Sequence, residues 1–192
     1  GELIALLFEF KVQIEQYLGT LGNTSMRTLG DLIQFNLDHC DDEMPWYGQE
    51  LFEWAESTGG DLTNPDYVAA RSTTTWYGRA TIDQVLSQGF DALVTPTYSF
   101  GSSPPATAGY PSISVPVGYT PSGRPVGFFI AAGPFQEAKL LKIARLIERT
   151  VGGRVAPTLA GTPPEPQPSG LCSAGVLSAA KAPSTKSVRR SW

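Results

Sequence analysis

The feature that most constrains this chain is a pair of apolar, β-branched runs set between proline and glycine. Ala108-Gly109-Tyr110-Pro111-Ser112-Ile113-Ser114-Val115-Pro116-Val117-Gly118 comes first, and Gly123-Arg124-Pro125-Val126-Gly127-Phe128-Phe129-Ile130 follows. Runs of this length, composition and punctuation read as short buried strands. The connector Tyr119-Thr120-Pro121-Ser122-Gly123 has the turn chemistry of a hairpin-like pair closed by a glycine-containing loop. A third strand is expected just upstream, where Phe90-Asp91-Ala92-Leu93-Val94-Thr95-Pro96-Thr97 emerges from a helix-glycine turn and ends at a proline. That alternation of helix and strand is what an α/β sheet requires.

Everything before residue 90 has helical periodicity. Leu3, Leu7, Phe10, Ile14 and Tyr17 recur at spacings of four and three and predict an amphipathic helix over 2–18, ended by Gly19 and Gly22. A short helix is expected over 29–36 and another over 47–57, broken by Gly59-Gly60. A long one follows, with Asn64 as N-cap and Pro65 at its first position, softened around Gly78 and stopped at Gly89. Ser99 to Ala108 reads as a connecting loop of small residues. A last helix is expected over 136–149, with Leu140, Ile143, Ala144 and Ile147 on one face, and Gly152-Gly153 after it. Residues 154–192, rich in Pro, Ser and Ala and poor in large apolar side chains, cannot bury enough surface to offset their ordering entropy and predict a flexible tail.

Charge and cysteine usage narrow the function classes. The formal net charge is -4, but Lys181, Lys186, Arg189 and Arg190 make the end of the chain basic, so the body is the more acidic part. An acidic body argues against a nucleic-acid surface. The two cysteines, Cys40 and Cys172, have no metal-knuckle or disulfide-framework spacing and read as free thiols, which slightly favours a cytoplasmic setting. No window reaches the about 18 apolar residues that span a bilayer, so no membrane partner is expected. His39 among Asp38, Asp41, Asp42 and Glu43 lacks regular ligand spacing and reads as a solvated acidic loop, so neither a metal nor a cofactor is expected.

Several blocks, taken in order, carry a resemblance. They are Asp91-Ala92-Leu93-Val94-Thr95-Pro96-Thr97, Gly101-Ser102-Ser103-Pro104, Ala108 to Pro116, Gly123 to Gly127, and Glu137-Ala138 with Leu140-Leu141. Their order and spacing are similar to the C-terminal region of amidase signature enzymes, and residues 4–57 resemble the helical segment that precedes it in amidases of fungal and bacterial type. The resemblance covers about residues 3–151. It implies an α/β fold, the C-terminal part of a mixed sheet flanked by helices, over residues 1–153 (helical over 1–89, strand and helix over 90–153). It also implies hydrolysis of a carbon-nitrogen amide bond by a serine nucleophile, with a lysine base acting through a second serine and backbone donors stabilising the oxyanion.

The chain departs from the family at the chemistry. The lysine and the Gly-Ser-rich loop with both serines belong to the family's N-terminal half, and no such loop occurs here. Gly101-Ser102-Ser103-Pro104 is no substitute, because Pro104 and Pro105 lack the N–H groups that loop would supply. His39, Asp42 and Ser102 or Ser114 are the right types for a triad, but no nucleophile-elbow sequence is present. Lys139 and Lys142 read as solvent-side residues. No catalytic residue is therefore assigned. Residues just beyond a strand end line the crevice of an α/β sheet, which nominates Thr97, Tyr98, Gly101, Ser102 and Ser103 as a pocket wall for an amide substrate.

The expected function is that of the C-terminal portion of an amidase-like hydrolase, inactive without the serine-serine-lysine elements. The alternative is a non-catalytic binding or assembly module on the same fold. An unpaired sheet edge would favour a molten or self-associated state of the isolated chain.

Overall fold

The computed structural model describes residues 1–156 and Cys172. The tail expected over 154–192 lies outside the described residues, apart from the irregular 154–156 and Cys172. Two compact units are present, one built on Leu3–Ala70 together with Cys172 and the other on residues 71–156.

The first unit is helical: α1 (Glu2–Thr20), α2 (Leu29–Asp38), the short α3 (Cys40–Glu43) and α4 (Glu50–Ser57), with the start of α5 (Pro65–Leu86). Leu7, Leu29 and Ala55 are buried together, with Phe10, Ile14, Leu32, Ile33, Phe52 and Trp54 packed against them. This is the stripe that the period of α1 predicts, although Leu3 and Tyr17 at its ends stay exposed. Each large apolar side chain so covered stabilises the fold by roughly 1.5–3 kcal/mol.

Local chemistry sets the helix starts. The Thr28 hydroxyl accepts from Asp31 N at 3.1 Å while the Asp31 carboxylate accepts from Thr28 N at 2.9 Å, a capping box. Two backbone N–H groups, Arg27 and then Thr28, hold the Asp31 carboxyl below the usual aspartate range. At α5 the Asn64 side chain accepts from Asp66 N at 2.9 Å, and Pro65 opens the helix as expected.

Lys11 joins three helices. Its Nζ lies 2.7 Å from Glu15 Oε1 and 2.8 Å from Glu56 Oε2, and Glu15 Oε1 also accepts from Leu29 N at 3.2 Å. Partial burial works against the Lys11 charge, but the hydrogen bonds to Glu15 and Glu56 outweigh it and hold its pKa above 10.5.

Two expectations in this unit need correction. Cys40 and Cys172 are not free thiols; they form a disulfide with a Cα–Cα distance of 5.8 Å. Their separation of 132 residues hides a proximity that only the fold reveals. The acidic segment is partly a helix, α3, with Asp41, Asp42 and Glu43 solvent-exposed. Acidic residues at a helix start oppose its positive end favourably.

The second unit contains β1 (Leu93–Pro96), α6 (Ser103–Ala108), β2 (Ser112–Tyr119), β3 (Pro125–Ala131) and α7 (Glu137–Val151). The strands form one antiparallel sheet in the order β1-β3-β2. Thr120 to Gly123 closes the β2–β3 connection, with Gly123 N donating to Thr120 O at 2.9 Å and Gly123 at φ +80. That left-handed conformation is why glycine stands there.

Register explains two prolines. Thr97 N donates to Gly127 O at 3.0 Å, and Ala132 N donates to Pro111 O at 3.2 Å. Because antiparallel partners alternate between bonded and non-bonded pairs, Pro96 opposite Phe128 and Pro116 opposite Gly127 both direct their nitrogen away from β3. Neither costs a ladder bond, which is the condition under which an edge strand accepts proline.

On one face of the sheet Val115 and Ile130 pack with Ala132, Leu140 and Ala144, and Ala92, Ile113, Ile143 and Ile147 complete the cluster. Helix α7 supplies the predicted face and ends at Gly152, φ +60.

Candidate active-site wall

The loop after β1 is built by one serine. Ser99 Oγ donates to Pro96 O at 2.6 Å and accepts from Gly101 N at 3.2 Å, folding the chain back on the strand it has just left. A 3-10 turn over Phe100–Ser102 and then α6 follow, so the expected plain connector is largely helical. Pro104 and Pro105 fit there because the first turn of a helix has no intrahelical use for their missing N–H groups.

The five nominated residues fall along this segment but do not converge. Thr97 sits at the end of β1, with its hydroxyl buried and without a hydrogen-bond partner. Tyr98 is 71% exposed and Ser102 is also on the surface. Gly101 lies directly over Thr95, where any Cβ would overlap the threonine side chain. Ser103 opens α6, and its hydroxyl donates to the Glu2 carboxylate.

Two further residues belong with them. Thr95 Oγ1, like Thr97 Oγ1, is buried and unpartnered. Residues two apart in a strand share a face, so both hydroxyls stand on the side of the sheet away from α7's core cluster. Gly127, across the ladder, leaves the space Thr97 occupies: a Cβ there would lie 2.6 Å from Thr97 Oγ1 and 2.9 Å from Val115 O. A buried hydroxyl without a partner costs roughly 1–3 kcal/mol, so two on one face mark a place where a polar group is wanted. The sequence signal was the alternation Thr95-Pro96-Thr97; the glycine across the ladder had none.

A pocket of about 170 Å³ lies beside the segment, lined by Thr74, Tyr77, Gly78, Thr81, Ser103, Pro104 and Thr107. Of the nominated residues, only Ser103 reaches it. Its hydroxyls are engaged locally: Thr81 Oγ1 donates to Tyr77 O at 2.8 Å and Thr107 Oγ1 to Ser103 O at 2.9 Å. Gly78, in place of softening the helix, allows α5 to approach α6 closely.

No activated nucleophile is assembled among the described residues. His39 belongs to the helical unit, stacked on Phe35 with ring centroids 4.2 Å apart and Nδ1 3.0 Å from Phe35 O. Lys139 pairs with Asp91 at 3.0 Å and Lys142 is exposed, so neither serves as a base for the serines of this segment. Burial, and then the Asp83 carboxylate, push the Tyr110 hydroxyl above 10, which keeps it protonated at neutral pH. Among the described residues no group of three or more His, Cys, Asp or Glu side chains could hold a metal ion. No helix among them is long and apolar enough to cross a membrane.

Known proteins resemble the chain over most of its length. No family model matches the chain. An amidase homologue of Arabidopsis thaliana is 36% identical over 151 residues, covering 78% of this chain and 29% of that protein. An amidase homologue of Schizosaccharomyces pombe is 28% identical over 169 residues, covering 77% of this chain and 28% of its own. Among solved structures, native peptide amidase from Stenotrophomonas maltophilia superposes with a TM-score of 0.73 at 35% identity, covering 83% of this chain and 35% of that one. An amidase family protein from Bacillus anthracis gives 0.70 at 28% identity, with 80% and 30% covered. The chain thus spans about a third of the length of these longer relatives. The ordered blocks of the sequence, the helix-and-sheet fold and these likenesses agree that the chain belongs to the amidase signature family.

Proposed function

We propose that this chain supplies the C-terminal portion of an amidase-like hydrolase of carbon-nitrogen bonds, and that its 192 residues alone do not turn over substrate. The observation that carries the reading is the 35% identity with a solved peptide amidase over most of the chain, at a TM-score of 0.73. Within that reading, Thr97, Tyr98, Gly101, Ser102 and Ser103 form part of the wall that faces an amide substrate, with Thr95 beside them. The buried hydroxyls of Thr95 and Thr97 support this, since a primary or secondary amide offers both a donor and an acceptor to such groups. A serine hydroxyl needs a neighbouring base before it attacks a carbonyl; of the serines described above only Ser103 meets a carboxylate, that of Glu2, and neither His39 nor Lys139 is hydrogen-bonded to any of them.

The test is a panel of simple amides incubated with the purified chain, alongside a serine-directed fluorophosphonate and NMR titration with a primary amide. No turnover, no labelling, and amide-induced shifts centred on Thr95, Thr97 and Gly101 are expected. Turnover with a labelled serine overturns the inactivity. Shifts confined to the pocket between α5 and α6, or no shifts at all, remove the wall assignment.

A further inference from the structure

The loop between α1 and α2 carries the sequence Asn23-Thr24-Ser25. An asparagine followed two residues later by serine or threonine, with no proline between, is the acceptor signal for N-linked oligosaccharide in secreted chains. So short a signal also occurs by chance, and here a second, independent feature accompanies it: the Cys40–Cys172 disulfide. Disulfides form and persist in oxidising compartments and are rare where glutathione keeps thiols reduced. The bridge therefore points to the opposite setting from the one free thiols favour.

We propose that Asn23 is an N-glycosylation site and that the chain matures in an oxidising lumen, where Cys40 and Cys172 are joined. Asn23 Nδ2 attacks the anomeric carbon of a lipid-pyrophosphate-linked oligosaccharide. The new N–C bond replaces the C–O bond to the pyrophosphate, which leaves with the lipid, and one amide proton is lost. In the same lumen the two cysteine thiols give two protons and two electrons to an acceptor disulfide, which departs as a dithiol.

The fold accommodates the sugar. Leu18 and Leu29 are 5% and 0% exposed, so the chain is pinned at both ends of the loop, while Gly22, Asn23 and Ser25 between them lie on the surface. The Thr24 hydroxyl accepts from Met26 N at 3.2 Å and holds the turn. A Cβ added at Gly19 or Gly22 would stand in open space, with nothing among the described residues within 4 Å. Transfer acts on the extended tripeptide, so the folded chain has only to leave room around Asn23. The other asparagines differ in both respects. Asn36 Nδ2 donates to Gln49 Oε1 at 3.1 Å, Asn64 accepts from Asp66 N at 2.9 Å with Pro65 after it, and neither has Ser or Thr two residues on.

The test is peptide mass spectrometry of the protein from its source cells, unreduced, with and without N-glycosidase. The peptide containing Asn23 should carry hexose and N-acetylhexosamine and read aspartate at that position after the glycosidase. Peptides containing Asn36 and Asn64 should be unmodified, and those containing Cys40 and Cys172 should travel as one linked species. Expression of the chain behind a secretory leader in eukaryotic cells adds the variants. Asn23→Gln and Ser25→Ala should each abolish the glycosidase-sensitive gel shift, and Ser25→Thr should keep it, a pattern that a merely structural role of the loop would not produce. A bare Asn23 in the source protein, a shift that survives Ser25→Ala, or unlinked cysteine peptides overturns the proposal.

Discussion

Replacing Gly78 by alanine sets two effects of known sign against each other. Alanine in the middle of a helix is favoured over glycine by about 1 kcal/mol, so α5 taken alone should gain. The added Cβ, however, would stand 2.5 Å from Thr107 Oγ1, 2.6 Å from Pro104 O and 3.0 Å from Ala108 N. Ordinary carbon contacts are about 3.5 Å, so α6 must retreat by roughly half an ångström or more. Thr107 can rotate away, but the Pro104 carbonyl is backbone. Retreat also stretches the bonds from Arg79 Nε to Ala108 O, now 3.1 Å, and from Arg71 Nη1 to Thr107 O, now 3.4 Å. Overpacking of this kind costs about 1–3 kcal/mol, which leaves Gly78→Ala less stable than the parent by about 1 kcal/mol. Urea unfolding followed by circular dichroism measures it. Adding Thr107→Ala should recover less than half of the loss. A Gly78→Ala protein more stable by the full helix-propensity gain would refute the close-approach argument.

Other outcomes follow from features already described. Lys11→Met keeps the apolar stem but strands Glu15 and Glu56, for a loss of about 1–2 kcal/mol in urea unfolding followed by circular dichroism; no measurable loss would show that the pair merely decorates the surface. The Glu15 pKa is held below 4.5, first by its hydrogen bond to Lys11, so its contribution is in place above about pH 4.5 and fades as the pH falls through the lower folded value. Lys11 is raised, so its contribution holds below 10.5 and is lost as the pH climbs through the higher folded value. The Lys11→Met penalty should therefore be flat across neutral pH and shrink at both extremes. Phe135, 94% exposed at φ +58, bears a left-handed conformation for no visible packing gain; Phe135→Gly should stabilise by about 0.5–1 kcal/mol, and a destabilised variant would point to an unseen contact. With Cys40 and Cys172 joined, the denatured chain should show no thiol to Ellman's reagent before reduction and two after it; two before reduction would refute the bridge.

Where local chemistry decides, the sequence was sufficient. Asn64-Pro65 opens α5, Gly89 and Gly152 close helices, and the Pro-Gly punctuation bounds β2 and β3, because each of these residues acts through its own backbone or its immediate neighbours. The helical turns over Phe100 to Ala108 were not legible, since Ser, Pro and Ala there give no apolar period and the turns form by packing on Thr95 and α5. The start of α4, expected at Tyr47, lies at Glu50, with Trp46 and Tyr47 left on the surface. For the candidate wall the sequence points only to the segment after β1, whose five nominated side chains do not converge in the fold; Thr95 enters through its strand face and Gly127 through a cross-strand pairing. The disulfide depends on two residues 132 apart, a distance over which sequence carries no proximity signal.

The placing of β3 between β1 and β2 has a consequence for the order of events during synthesis. Neither earlier strand pairs with the other; each waits for the segment Pro125–Ala131, which is made last. Until those residues leave the ribosome, Leu93, Val94, Ile113 and Val115 exist as two unpaired apolar runs, and β1 must hold out for some thirty residues of further translation. The prolines at 96 and 116 then act before there is any sheet at all: each interrupts a sticky run while its proper partner is still unmade.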